Sequence, residues 1–136
     1  MPRTLELARV LVVDDELSSR LTLQTLLEAG GYSVDVAGSA AEAICKLDEG
    51  QYELVLSEAE VDSPEAGEQV LSYARIRPYQ PATAVVTAYR EAKASRYALG
   101  NEQQVSINSE NVSALLGKVA DLIGLRAQRR AARAAV

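Results

Sequence analysis

Two short apolar runs in this sequence end on acidic side chains, which are the residue types that bind a divalent cation or react at a phosphoryl group. The run RVLVV is followed directly by Asp14 and Asp15, and the run LVLS is followed by Glu58. A third run, ATAVV, ends at Thr87, which offers a hydroxyl group. Carboxylate oxygens are the ligands that Mg²⁺ and Ca²⁺ prefer in proteins. These side chains form one site only if the fold brings the ends of the three runs together.

Hydrophobic periodicity predicts the strands and helices that must position these side chains. Short apolar runs alternate with longer segments of helical period, which is typical of repeated β-α units around a parallel sheet. Five strands are predicted, namely RVLVV, YSVDVA, ELVLS, ATAVVTA and QQVSI. Five helices are predicted after them, in LSSRLTLQTLLEAG, GSAAEAICKLDEG, residues 66–77, REAKASRYALG and NSENVSALLGKVADLIGL. Because the carboxyl ends of parallel strands lie at one edge of a sheet, we expect the acidic residues and Thr87 to meet there.

Length and composition indicate one domain. The chain has 136 residues, of which 48% are hydrophobic, enough to bury a single core of good size. We place the domain at residues 1–125. Residues 126–136 are then a basic tail or linker, and its alanines and arginines favour continuation of the last helix.

Charge and targeting signals narrow the function classes. The net charge is −5; since the tail holds four arginines and no acid, residues 1–125 carry −9. An acidic main surface argues against nucleic-acid binding, which needs clustered Lys and Arg. The sequence contains neither a run of membrane-spanning length nor the apolar core of a signal peptide. Cys45 has no second cysteine to pair with, which fits a reducing compartment, and we predict a soluble cytoplasmic protein.

Histidine is absent from the sequence. This removes the usual general base near neutral pH and the commonest metal ligand. The chain therefore has no histidine from which to donate a phosphoryl group.

From Arg9 to Leu125 the sequence resembles the receiver domain of two-component response regulators. The resemblance is carried by VLVVDDE, YELVLSE, VVTAY and LLEAGGYSVDVAGSAAEAI. It implies a flavodoxin-like, doubly wound α/β fold with a five-stranded parallel sheet in the order 2-1-3-4-5 and five helices. It also implies a role in phosphorelay signalling, with a histidine kinase or an output protein as the partner.

The family's chemistry assigns a role to each candidate residue. In the family, a phosphoryl group moves from a partner histidine to an aspartate, beside a Mg²⁺ ion held by an acidic pair. The resemblance places Asp14 and Asp15 at the metal-binding pair, Glu58 at the phospho-acceptor and Thr87 at the hydroxyl that binds the phosphoryl group. Tyr89, just after VVTA, is expected at an interaction face, because tyrosine is favoured at interfaces.

Three positions depart from the family pattern. Glu58 replaces the acceptor aspartate, Ile107 replaces the lysine at the end of the fifth strand, and Gln104 replaces the aromatic residue that reports pocket occupancy. Glutamate carries its carboxylate roughly 1.5 Å further into the pocket than aspartate, and Ile107 supplies no cation for the developing charge. The sequence therefore predicts a degenerate receiver, or pseudo-receiver.

Without the lysine, no cation at that position balances the negative charge of the predicted acidic site. Three carboxylates about 4 Å apart repel by on the order of 4 kcal/mol per pair at an effective dielectric near 20. We expect weak binding of Mg²⁺ or Ca²⁺ by Asp14, Asp15 and Glu58, or else uptake of a proton. An acidic cleft that holds only water is the alternative.

The leading hypothesis is a non-enzymatic receiver that binds a signalling partner independently of phosphorylation, with Glu58 holding it in one permanent state. A receiver that accepts phosphate with Mg²⁺-dependent activation is the first alternative. A Mg²⁺-dependent phosphohydrolase is a weaker one, because a nucleophilic aspartate, a base and a phosphate-binding loop are missing. A homodimer through the last helix is a further alternative.

Overall fold

The computed structural model describes residues 8–58, 61, 63, 65–88, 103–107 and 112–134. The side chains of residues 87, 88, 103–107, 130 and 132–134 are outside this description. The elements within it are β1 (Arg9–Val13), α1 (Leu17–Ala29), β2 (Ser33–Ala37), α2 (Ala40–Glu49), β3 (Leu54–Glu58), α3 (Ala66–Arg75), β4 (Ala82–Ala88), β5 (Gln103–Ile107) and α4 (Val112–Ala134).

The five strands form one parallel sheet in the order β2-β1-β3-β4-β5. This confirms the flavodoxin-like α/β class and the predicted strand order. Four of the five predicted helices lie among the described residues. The remaining one, predicted in REAKASRYALG, lies outside them.

Both faces of the sheet are buried, which explains why the strands read as continuous apolar runs. On one face, Val12 and Leu56 pack with leucines of α1 and with Leu115 and Val119 of α4. On the other face, Val13 and neighbouring strand residues pack with residues of α2 and α3. Because successive strand side chains alternate between faces, each central strand contributes to both cores.

The start of α2 shows how the sequence sets a helix boundary. The Ser39 hydroxyl accepts a hydrogen bond from the backbone N–H of Glu42 at 3.1 Å. In return, the Glu42 carboxylate accepts one from the backbone N–H of Gly38 at 2.9 Å. The two bonds form a capping box, with Gly38 in place of Ser39 as the second backbone donor.

The last helix continues through the basic tail, because α4 runs from Val112 to Ala134. Arg126, at the start of the tail, donates hydrogen bonds to the backbone carbonyls of Gln80 at 2.9 Å and Tyr79 at 2.6 Å. The tail thus begins as a helix joined to the turn before β4. Whether residues 126–136 act as a linker stays a prediction. Among the described residues, no helix combines the length and apolar character that a bilayer crossing requires.

Candidate acidic site at the carboxyl edge of the sheet

Strand register brings the three predicted run ends together. Val13, the last residue of β1, pairs with Ser57 of β3, so Asp14 lies beside Glu58. Glu58 in turn pairs with Val86 of β4, and Thr87 is the next residue along that strand. The expectation that these positions share one edge of the sheet is confirmed at the level of the backbone.

Asp14, Asp15 and Glu58 form the acidic cluster. One carboxylate oxygen from each of the three lies within 4.8 Å of the other two. Their surroundings differ, because Asp14 is only 2% exposed while Glu58 is half-buried and Asp15 is exposed. The cluster therefore has a buried base and a solvent-facing rim.

Asp14 is the buried member, and its two oxygens are used differently. Oδ1 accepts a hydrogen bond from the backbone N–H of Glu16 at 2.9 Å. Oδ2 is buried and has no hydrogen-bond partner among the described residues. Burial raises the pKa of the Asp14 carboxyl; the backbone hydrogen bond from Glu16 opposes this rise, and the negative charges of Asp15 and Glu16 add to it. An interaction with Glu58 lowers it slightly.

Two residues that sequence reasoning did not single out hold the loop after β1. Glu16 precedes the first turn of α1, and its carboxylate accepts hydrogen bonds from the hydroxyls of Ser18 and Ser19 at 3.1 and 2.8 Å. Arg20 donates from its guanidinium to the backbone carbonyl of Asp14 at 2.9 Å. The spacing of Glu16 from the two serines was a usable signal for the first contact, since acids and small hydroxyl residues gather at helix starts. No local sequence pattern predicts the contact of Arg20 with the backbone carbonyl of Asp14.

The remaining predicted positions are located by their backbone alone. Thr87 of β4 pairs with Ser106 of β5, and Ile107 is the last residue of β5, opposite Ala88. Gln104 lies on the same strand. A contact between the Thr87 hydroxyl and Glu58 stays a prediction. Tyr89, predicted at an interaction face, lies outside the described residues.

The donor set suits a hard divalent cation. Three carboxylate oxygens converge, and the orphaned Oδ2 of Asp14 is the kind of atom that a bound ion satisfies. Mg²⁺ and Ca²⁺ both take oxygen ligands, and Mg²⁺ usually retains several waters when few carboxylates bind it. The residues present therefore fit such an ion, which would supply positive charge to the cluster.

The family is established by the match of the response regulator receiver domain model to residues 10–107. The chain belongs to this family of two-component signalling domains. No curated protein sequence matches it.

Solved structures agree on the fold. A CheY-like response regulator receiver domain protein from Methanospirillum hungatei JF-1 is 24% identical, with a TM-score of 0.74, over 91% of this chain and 99% of that one. A response regulator receiver protein from Sinorhizobium medicae WSM419 is 21% identical, with a TM-score of 0.73, over 90% and 99%. NtrX from Brucella abortus, at 16% identity and a TM-score of 0.79, is matched over 94% of this chain but 29% of its own length. The fold therefore occurs both as nearly a whole solved chain and as part of a longer protein.

Proposed function

We propose that this receiver domain acts in two-component signalling as a protein-interaction module whose state is not set by aspartyl phosphate. The observation that carries the proposal is the position of Glu58 at the end of β3, with a carboxylate oxygen within 4.8 Å of oxygens from Asp14 and Asp15. This is the position where the family has its phospho-acceptor aspartate. The longer side chain of Glu58 thus reaches into the space that an incoming phosphoryl group needs.

Glutamate at this position opposes phosphoryl transfer. Reacting atoms must approach to about 3–3.5 Å in line, and a misplacement of about 1 Å lowers the rate by about 10²-fold. The extra methylene of Glu58 moves its oxygens roughly 1.5 Å relative to those of an aspartate. The backbone of β3 cannot withdraw to compensate, because Glu58 is held in register with Val86.

The residue at the end of β5 also opposes phosphoryl transfer. Ile107 is the last residue of that strand, at the edge where the acidic cluster lies and where the family has a lysine. A fixed cation that stabilises developing charge typically contributes about 10²-fold or more in rate. With an aliphatic side chain in its place, the domain lacks that contribution from this position.

A divalent cation has a structural part in the proposal. Asp14, Asp15 and Glu58 would hold Mg²⁺ or Ca²⁺ weakly, since three carboxylates are few ligands for either ion and water must complete the shell. A bound ion would neutralise the repulsion among them and favour one arrangement of the loops at this edge. The domain then presents one constant surface to a histidine kinase or an output protein.

The test is exposure of the full chain to a small phosphodonor such as acetyl phosphate in millimolar Mg²⁺, followed by intact-mass measurement. We expect no phosphoryl adduct. A receiver domain with an acceptor aspartate, treated in parallel, shows that the donor is active. A stoichiometric, hydroxylamine-labile adduct on Glu58 would instead support the alternative of a phosphate-accepting receiver.

A further inference from the structure

A second concave site lies at the opposite end of the parallel strands from the acidic cluster. It is a cavity of about 290 Å³, and its lining includes Arg75, Pro81, Thr83, Leu122, Leu125 and Arg129. Pro81 and Thr83 flank the start of β4, whereas the acidic cluster lies where the strands end. The two sites are therefore at opposite ends of the parallel strands and share no residue.

The lining combines cations with an apolar wall. Arg75 comes from the C-terminal end of α3, and Arg129 comes from the part of α4 that lies in the basic tail. Leu122 in the lining is buried, whereas Leu125 is 46% exposed. Guanidinium groups bind carboxylates in a planar, bidentate manner, and the exposed Leu125 would cover an aliphatic group beside the carboxylate.

The charge around this cavity contrasts with the rest of the molecule. Its lining contains two arginines and no acidic residue, although the Glu68 carboxylate lies 4.0 Å from the Arg75 guanidinium. The whole chain nevertheless carries −5. The lining itself is thus positive within an acidic domain, which makes the site complementary to an acidic ligand.

One wall of the cavity is held in place by the tail helix. Arg126 donates to the carbonyls of Tyr79 and Gln80, directly before Pro81. Gln80 has a φ of 46°, in the left-handed region that non-glycine residues seldom occupy, and the bonds from Arg126 hold it there. A wall fixed before binding reduces the ordering that a ligand must bring about.

Arg75 already has contacts within the domain, among them a hydrogen bond from its guanidinium to the Ser72 hydroxyl at 3.4 Å. Its guanidinium lies 4.0 Å from the Glu68 carboxylate, and the two side chains are 40% and 63% exposed. Exposed pairs of this kind contribute little to stability. A ligand carboxylate held against the apolar wall would therefore compete well with Glu68 for Arg75.

We propose that this cavity, the arginine–leucine pocket, binds an acidic segment of a partner protein that also carries an aliphatic side chain. A phosphodiester backbone would use the arginines but leave the exposed Leu125 uncovered, and the net negative charge of the chain disfavours nucleic acid. The pocket does not depend on whether Glu58 accepts a phosphoryl group. Failure of one proposal would leave the other intact.

The test is fluorescence anisotropy of the full chain with a labelled peptide composed of glutamate and leucine. Arg129→Gln and Arg75→Gln should each weaken binding by about tenfold, because each removes a charge-assisted hydrogen-bond donor. The matched control is Lys46→Gln on α2, which changes the net charge equally and should leave the affinity unchanged. Peptides with glutamine for glutamate, or glycine for leucine, should also bind more weakly.

Amide chemical shifts supply the second readout. Peptide titration should move the amide signals of Thr83 and Leu122 before that of Asp15, even for variants whose affinity is reduced. The proposal is overturned if the wild type does not bind the peptide at millimolar concentration, or if the Lys46 and Arg129 variants lose affinity equally. Tighter binding of a single-stranded oligonucleotide than of the peptide would also overturn it, in favour of a nucleic-acid site.

Discussion

Asp14 and Glu58 come from different strands, yet their carboxylates offer oxygens within 4.8 Å of each other. Asp14 is buried and its Oδ2 is orphaned, while Glu58 is half-buried beside it. Two ionised carboxylates this close repel each other, and a proton or a cation reduces that repulsion.

Glu58→Asp combined with Ile107→Lys should create a phosphate-accepting domain. The shorter side chain opens space for the phosphoryl group, and the lysine supplies a cation at the end of β5. Intact mass after incubation with acetyl phosphate and Mg²⁺ should show an adduct with the double variant. Glu58→Asp alone should react about 10²-fold more slowly. An unreactive double variant would show that Ile107 is not at the position of the family's lysine.

Asp14→Asn should stabilise the domain at neutral pH in the presence of a chelator. The folded-state pKa of Asp14 is raised above its ordinary value of 3.8, so the folded state binds this proton more tightly than the unfolded state. Stability therefore falls as the pH rises through the window from 3.8 to the raised pKa. Asparagine keeps the Oδ1 acceptor without the charge.

We expect a gain on the order of 1 kcal/mol in the free energy of unfolding, measured with urea at neutral pH. The effect of Asp15→Asn should be smaller, because Asp15 is exposed. A less stable Asp14→Asn variant would mean that ionised Asp14 makes a favourable interaction in the cation-free protein.

Millimolar Mg²⁺ should raise the melting temperature of the wild type more than that of Asp15→Asn. A ligand that binds only the folded state stabilises it by RT ln(1 + [L]/Kd), and removing one carboxylate raises Kd. Differential scanning fluorimetry with and without Mg²⁺ measures the difference. Glu49→Gln, an exposed acid at the end of α2, is the control and should respond as the wild type does. Identical responses of all three proteins would indicate a cleft that holds water alone.

Asp35, on the outermost strand β2, should make the stability of the domain depend on acidic pH through its contacts with Arg9 and Tyr52. Burial alone would raise its pKa, but hydrogen bonds from Tyr52 at 2.7 Å and Arg9 at 2.8 Å outweigh this and lower it below 3.8. Stability from these bonds is therefore present above pH 3.8 and is lost as the pH falls through the lowered pKa.

Asp35→Asn should lower the free energy of unfolding at neutral pH by about 1 kcal/mol, a modest value because the Asp35 side chain is 37% exposed. Urea titrations between neutral pH and pH 3 should show the difference from the wild type shrinking as the pH falls. A constant difference across that range would contradict the assigned linkage.

Arg126→Ala should destabilise the domain by about 1–2 kcal/mol, because two backbone carbonyls lose a charged donor. Chemical denaturation measures the change. Arg129 lies on the same helix but makes no backbone contact of this kind among the described residues. Arg129→Ala should therefore change stability by less than about 0.5 kcal/mol. Equal effects of the two substitutions would indicate that helix propensity or charge, and not the contact with the turn, accounts for the loss.

The sequence by itself determined the parallel sheet and the meeting of Asp14 with Glu58 at one end of its strands, and the family resemblance implied the strand order. Continuous apolar runs alternating with helical periods permit few arrangements other than a doubly wound parallel sheet, and parallel strands place their carboxyl ends at one edge. The resemblance of the quoted motifs supplied the family. The positions of Thr87 and Ile107 on β4 and β5 followed from the same pattern.

Tertiary structure alone decided how neighbouring residues of the same type differ. Asp14 and Asp15 are adjacent and chemically identical, yet one is buried with an orphaned oxygen and the other faces solvent, because backbone pairing around β1 turns only the first inward. The arginine–leucine pocket likewise joins segments that are far apart in the chain. Its residues meet because the end of α4 packs beside the start of β4, and local periodicity carries no information about such a contact.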